Sequence, residues 1–103
     1  MSTIFYVMKE EHDRLIEADK AYRHNIERMP RGSPRIKRIR KRDYLYLARR
    51  NGAKVVYDYI GPADSKQAKK ILEQIQRRKR FEGLLKDIRH NLKDVKKVLR
   101  GKI

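Results

Sequence analysis

Residues 43–60, DYLYLARRNGAKVVYDYI, decide the fold of this chain. Two runs rich in β-branched and aromatic residues are separated by Asn51-Gly52, the dipeptide most typical of a two-residue hairpin turn of type I′. That turn needs a positive φ at both central positions, which Asn and Gly tolerate. The stretch therefore predicts a β-hairpin whose loop is Asn51-Gly52. The expected cross-strand pairs are Ala48 with Val55, Tyr46 with Tyr57, and Tyr44 with Tyr59.

Side chains alternate along a strand, so the hairpin has an aromatic face and a mixed face. The aromatic face carries Tyr44, Tyr46, Tyr57 and Tyr59. A row of tyrosines is common in half-buried packing, because aromatic cross-strand pairs stabilise a sheet. It is also the surface on which unpaired bases stack in RNA-binding sheets. The sequence leaves both interpretations open.

A strongly basic stretch precedes the hairpin. Residues 35–42 hold six Lys and Arg in eight positions, and Ile36 and Ile39 indicate a first strand there. Their spacing of three breaks strict alternation and suggests a bulge. Positive charge on an edge strand also prevents aggregation, but that purpose rarely needs six cations. We therefore interpret the stretch as a surface that contacts phosphates.

Two amphipathic segments enclose the sheet. In residues 3–29 the apolar positions recur in steps of three and four, interrupted by His12 and Asp19, which predicts a helix. Residues 64–100 predict a second helix, starting at a capping box of Asp64 and Gln67. It either kinks near Gly83 or runs on for about 50 Å, and no proline interrupts it. Its second half is a heptad seam, so the helices are expected to pair as an antiparallel coiled coil, or between two chains.

The expected architecture is α+β. It consists of an N-terminal helix, a three-stranded antiparallel sheet over residues 34–61 and a long C-terminal helix, in one domain over residues 1–103. The absence of cysteine excludes disulfides and thiolate metal sites. No apolar run is long enough to span a bilayer, and no signal peptide is recognised, so we expect a cytoplasmic protein without membrane contact.

No catalytic motif is found. The three histidines lack the spacing of a metal site, and neither a P-loop nor a GxSxG elbow is present. We expect no catalytic residue, no metal and no cofactor, and hence no enzyme.

The charge is unevenly distributed along the chain, whose formal net charge is +16. Residues 1–29 hold five basic and six acidic residues, residues 30–61 ten and two, and residues 62–103 fourteen and five. Such asymmetry is typical of a surface for a polyanion, provided that the cations form one continuous patch. The expected phosphate contacts are Arg35, Lys37, Arg38, Arg40, Lys41, Arg42, Arg49, Arg50, Lys54, Arg77, Arg78, Lys79 and Arg80.

Four short segments carry a family resemblance: Gly32-Ser33, RDYLYL at 42–47, GAKV at 52–55 and YIGP at 59–62. They resemble a group of small bacterial and archaeal proteins of unestablished function. Those proteins share a tyrosine-rich hairpin that closes on Tyr-Ile/Leu-Gly and is followed by a Lys/Glu-rich helix. The resemblance covers most of residues 25–100.

The order of strands and helix is also loosely similar to the arm-binding domains of tyrosine recombinases and to plant AP2-type domains. In those domains a three-stranded sheet backed by a helix enters the DNA major groove. The similarity implies DNA contacts from the sheet at Arg35, Lys37, Arg38, Arg49 and Lys54, and it is a similarity of architecture. The long N-terminal helix and the C-terminal heptads depart from that plan.

We therefore expect a non-catalytic nucleic-acid-binding protein, with DNA favoured over RNA, that contacts phosphates through its sheet and basic helix. The alternative is a protein-interaction module whose helical seams dock an acidic partner, as an antitoxin or an accessory subunit of a mobile-element enzyme does. A homodimer built on the same seams is a further possibility.

Overall fold

The computed structural model describes residues 3–102 and confirms the α+β architecture. The strands form one antiparallel sheet in the order β1-β2-β3. The predicted ends of the elements differ from the observed ones by one or two residues, and the long helix runs through Gly83 without interruption. The elements are α1 (Thr3–Glu27), β1 (Ser33–Ile39), β2 (Arg42–Asn51), β3 (Lys54–Pro62) and α2 (Lys66–Lys102).

The cap of α2 lies one residue later than predicted. The Ser65 hydroxyl accepts a hydrogen bond from the Ala68 backbone amide at 3.1 Å, which makes Ser65 the N-cap. Asp64 lies outside the helix, and its carboxylate is 4.0 Å from the Arg42 guanidinium. The capping box of Asp64 and Gln67 is therefore wrong, because two good capping residues are adjacent and the second is used.

The loop between β2 and β3 has two residues, but they are Gly52 and Ala53. Asn51 pairs with Lys54 across the ladder. The φ of Gly52 is +66°, and the described non-glycine residues with positive φ are Arg40 and Lys41, so Ala53 is not one of them. A positive φ at the first central position alone defines a type II′ turn, where Gly is preferred.

The predicted register of the hairpin is consequently wrong by two residues. Tyr46 lies opposite Tyr59, and Ala48 lies opposite Tyr57. Tyr44 lies opposite Pro62 and not Tyr59. A shift of two keeps the side chains from Tyr46 to Tyr59 on their predicted faces, whereas a shift of one would exchange the faces.

A β-bulge interrupts the ladder between β2 and β3. Leu45 pairs with Gly61 and Tyr46 pairs with Tyr59, which leaves Ile60 as the extra residue of β3. Gly61 has a φ of +154° and is buried. The bulge thus places a residue without a side chain opposite Leu45, on the buried side of the sheet.

The first strand, in contrast, is regular. All seven residues of β1 pair with β2 in register, so the predicted bulge at Ile36 and Ile39 is wrong. Their spacing of three simply places them on opposite faces. The β1–β2 loop is Arg40-Lys41, with φ values of 50° and 67°, which are the values of a type I′ turn.

Residues 29–78 form one compact unit, which contains the sheet and the first part of α2. Its buried apolar side chains are Leu45 and Leu47 on the sheet and Ala68 and Ile75 on α2. The apolar stripe of the helix therefore covers the leucine face of the sheet.

The other compact unit consists of α1 and the part of α2 from Lys79 onward. Leu15, Leu92 and Val95 form its buried core. The Tyr22 and Phe81 rings lie 5.4 Å apart by centroid. Leu15 packs on Leu92 and Val95, whereas Tyr22, which comes later in α1, packs on Phe81, which comes earlier in α2. The two apolar seams therefore pair antiparallel within the chain. The supercoiled geometry of a coiled coil stays a prediction.

Candidate nucleic-acid interface

The sheet has one buried face and one exposed face, and the tyrosines lie on the exposed one. Leu45 is 0% exposed and Leu47 is 6% exposed, whereas Tyr57 and Tyr59 are 49% and 55% exposed. Tyr44 and Tyr46 are half-buried. Two of the four tyrosines are therefore exposed and two are half-buried, so the row is accessible from solvent and also takes part in the packing of the sheet.

Three of these rings form a cluster around Tyr59. Its ring centroid is 5.2 Å from that of Tyr46 and 6.2 Å from that of Tyr44. Together with Ile39 at the end of β1, the three rings line a shallow pocket of about 310 Å³. The surface thus contains a concave site with aromatic walls.

Two cations lie against these rings. The Lys37 ammonium is 4.7 Å from the Tyr46 ring centroid and 4.4 Å from the Tyr57 centroid. The Arg42 guanidinium is 5.9 Å from the Tyr44 centroid. These distances are those of cation–π contacts, so the rings hold positive charge at the surface.

The register shows which other side chains share this face, because residues paired across a ladder point to the same side. Arg35 pairs with Tyr46, Lys37 with Tyr44, and Arg50 with Val55. We call this exposed surface the tyrosine face. It comprises Arg35, Lys37, Ile39, Arg42, Tyr44, Tyr46, Arg50, Tyr57 and Tyr59.

Both acidic residues of the strands point to the opposite, leucine face. There the Arg49 guanidinium donates to the Asp58 carboxylate at 2.7 Å, and Arg38 lies 3.9 Å from Asp43. The strands therefore separate their charges. Both strand carboxylates lie on the leucine face next to arginines, and the charged strand residues on the tyrosine face are all basic.

The single continuous patch expected from the sequence is not what the sheet unit contains. The predicted contacts Arg38, Arg49 and Lys54 lie on the leucine side by register. Arg40 and Lys41 project from the hairpin tip and are exposed. The expected patch is thus divided into the tyrosine face, the tip and the far side of the sheet.

Arg78 has a structural task. Its guanidinium donates to the Pro30 carbonyl oxygen and, at 3.0 Å, to the Gly32 carbonyl oxygen, both in the segment that leads into β1. Arg77 is exposed on the helix that covers the leucine face, so it is not part of the tyrosine face. Lys79 and Arg80, also exposed, belong to the helical unit.

Sequence reasoning missed Ile39 as a pocket wall and the paired state of the two strand carboxylates. Strand alternation carried a signal for both, because alternation places Asp43 and Asp58 with Arg49 on one face, and pairing of Ile39 with Arg42 places Ile39 on the face of Tyr44. The role of Arg78 had no local signal, because its partners lie 46 and 48 residues away.

In the part of the chain that the structure describes, no cluster of three or more His, Cys, Asp or Glu could hold a metal ion. Within residues 3–102, none of the helices has the length and apolar character needed to cross a membrane.

Fold and surface together define a small α+β protein that presents aromatic rings and cations on an open sheet face. Residues 8–70 match the family described as Domain of unknown function (DUF6788). The match covers more than half of the chain, so the protein belongs to that family. It includes all three strands and therefore the whole tyrosine face. No curated protein and no solved structure matches the chain.

Proposed function

We propose that this protein binds nucleic acid, without catalysing a reaction on it, through the tyrosine face and the Arg40-Lys41 tip. The observation that carries the proposal is the separation of charge on the sheet. Four cations share an exposed face with four tyrosines, while the strand carboxylates are paired on the other side. Of these cations, Arg42 has a carboxylate nearby, that of Asp64 at 4.0 Å. Cations attract phosphates, and aromatic rings among them are typical of nucleic-acid surfaces.

DNA is the favoured ligand in this proposal. A three-stranded sheet with one open face and a helix behind it is the plan of the arm-binding and AP2-type domains, which enter the major groove of duplex DNA. The likeness is one of architecture, and it bears on the choice between DNA and RNA, not on the number of strands bound. Of the contacts that the plan implies, Arg35 and Lys37 lie on the open face. Arg38, Arg49 and Lys54 lie on the other side, and the proposal leaves them out, together with Arg78.

The test is fluorescence anisotropy with labelled duplex DNA, duplex RNA and single strands over a salt series. If four to six phosphates are neutralised, the logarithm of the affinity falls against that of the salt concentration with a slope of about −3 to −5. An affinity that hardly changes with salt would contradict the proposal.

A matched pair of variants locates the surface. Arg35→Glu/Lys37→Glu changes two charges on the tyrosine face, and Lys93→Glu/Lys97→Glu makes the same change at exposed positions of the helical unit. The first variant is expected to lose at least tenfold in affinity and the second much less. Equal losses would show that net charge alone accounts for binding.

The second candidate is a protein-interaction module, antitoxin-like or an accessory subunit, that binds an acidic partner or a second copy. The apolar seams of α1 and α2 pack against each other within the chain. A partner protein would therefore have to contact other, exposed side chains. Ile4 and Val7 of α1 are 65% and 51% exposed. Light scattering of the purified protein and of Ile4→Lys/Val7→Lys tests it: an assembly that the variant abolishes supports this candidate, and a monomer in both counts against it.

A further inference from the structure

We infer that the ligand of the tyrosine face is a single strand, with one unpaired nucleobase seated between Tyr44, Tyr46 and Tyr59. This inference rests on the proposed function and specifies its ligand. The shared chemistry is an aromatic base between two phosphates, in DNA or RNA.

The first argument is the form of the pocket. It is a shallow, open depression lined by Ile39 and three tyrosine rings, on which a planar aromatic group can lie. The Tyr59 ring meets the Tyr46 ring at 57° and the Tyr44 ring at 47°. Rings tilted in this way do not cover one another. Cations lie over the Tyr46 and Tyr44 rings, so the ring offered for stacking is mainly that of Tyr59, a residue 55% exposed.

The second argument is what a duplex could offer to such a site. In a helix, the neighbouring pairs of the stack cover both faces of every base, so rings can stack only on bases that are splayed out. A duplex would meet the cations of the sheet and leave the tyrosine rings without partners. Of the pocket tyrosines, Tyr59 is 55% exposed, so its ring is accessible to an unpaired base.

The third argument is the position of the cations. Lys37 lies against Tyr46 and Tyr57 on one side of the cluster, and Arg42 lies against Tyr44 on the other. A strand whose base enters the pocket has a phosphate on each side of that base. Lys37 and Arg42 each contact a ring of the face, the alternation of ring and cation that single-strand-binding proteins use. Because Asp64 lies 4.0 Å from Arg42, Lys37 is the better placed of the two to meet a phosphate.

The experiment compares Tyr59→Leu with Tyr6→Leu, a control at an exposed tyrosine of α1. Labelled single-stranded DNA, single-stranded RNA and duplexes of equal length are titrated by anisotropy at one salt concentration. Tyr59→Leu is expected to weaken single-strand binding about tenfold and duplex binding less than twofold. Tyr6→Leu is expected to change neither. Tyr59→Phe keeps the ring and should bind single strands within twofold of the wild type, which separates stacking from a folding defect.

A strand with abasic sites gives a test that needs no variant. It keeps the phosphates and removes the bases, so it should bind about tenfold more weakly than the normal strand. Tyrosine fluorescence provides a second readout, because the chain has six tyrosines and no tryptophan. Quenching by the normal strand and little quenching by the abasic strand are expected.

The outcomes separate this inference from the proposed function. If the abasic strand binds as tightly as the normal one, or Tyr59→Leu weakens duplex and single strand equally, the inference is overturned and nucleic-acid binding stands. If no nucleic acid binds even at low salt, the proposed function fails, and this inference fails with it.

Discussion

Arg40 and Lys41 occupy a backbone conformation that suits neither residue. Both have a positive φ, at a turn where Asn-Gly is the usual choice. The left-handed region costs about 1–2 kcal/mol for a residue with a Cβ atom. A strained pair of cations at a hairpin tip is consistent with a contact role, since strain of this kind is concentrated at functional sites.

Replacing the pair by Arg40→Asn/Lys41→Gly should therefore stabilise the protein and weaken its binding of nucleic acid. The expected gain is about 1–3 kcal/mol in the free energy of unfolding, with a rise of several degrees in Tm. Thermal unfolding followed by circular dichroism measures it. Gly52→Ala is the opposite control, because it creates strain at φ +66° and should lower Tm. A variant no more stable than the wild type would show that the turn is unstrained.

Local chemistry predicts that a turn or a cap exists better than it predicts which residue forms it. Gly52 satisfies a type I′ turn as its second residue and a type II′ turn as its first, so Asn51-Gly52-Ala53 permits two loops. Asp64 and Ser65 are both good N-caps. In each case the choice depends on how the sheet packs, which the local sequence does not contain.

At the scale of the elements, alternation predicted which residues share a face of the sheet, and the structure confirms the grouping of the four tyrosines. It could not predict which face is buried, because tyrosines and leucines both pack well. That choice is made by α2, whose buried Ala68 and Ile75 supply the apolar surface for Leu45 and Leu47.

Arg78 connects elements that are distant in sequence, and its loss should be costly. Arg78→Ala removes hydrogen bonds from a charged donor to the Pro30 and Gly32 carbonyl oxygens. We expect a loss of about 1.5–3 kcal/mol in the free energy of unfolding, measured by urea denaturation. The control is Arg77→Ala, an exposed neighbour of the same charge that should change stability by less than about 0.5 kcal/mol. Equal effects of the two substitutions on the free energy of unfolding would contradict the structural role of Arg78.

At the scale of the whole molecule, positive charge greatly exceeds negative charge, with 29 basic and 13 acidic residues. The composition shows a strongly basic protein, but it could not predict the separation of charge on the sheet. That separation depends on the register, which brings Asp58 diagonally next to Arg49, where they form an ion pair, and leaves Lys37 against tyrosine rings.

The basic side chains, present in such excess, repel one another, so the free protein should become more stable as salt is added. Raising the sodium chloride concentration from about 20 to 300 mM shortens the Debye length from about 20 Å to 6 Å and screens this repulsion. We expect Tm to rise by several degrees over that range. A falling Tm would mean that the ion pairs, Arg49–Asp58 among them, outweigh the repulsion.

The alternation of faces along β2 limits where the chain can accept an insertion or a deletion. Loss of one codon between Arg42 and Leu47 would turn the leucines to water and the tyrosines toward α2, so fold and binding surface would be lost in a single event. β3 already carries an unpaired residue at Ile60, where the ladder is interrupted. Changes of length are therefore better tolerated there than on the central strand.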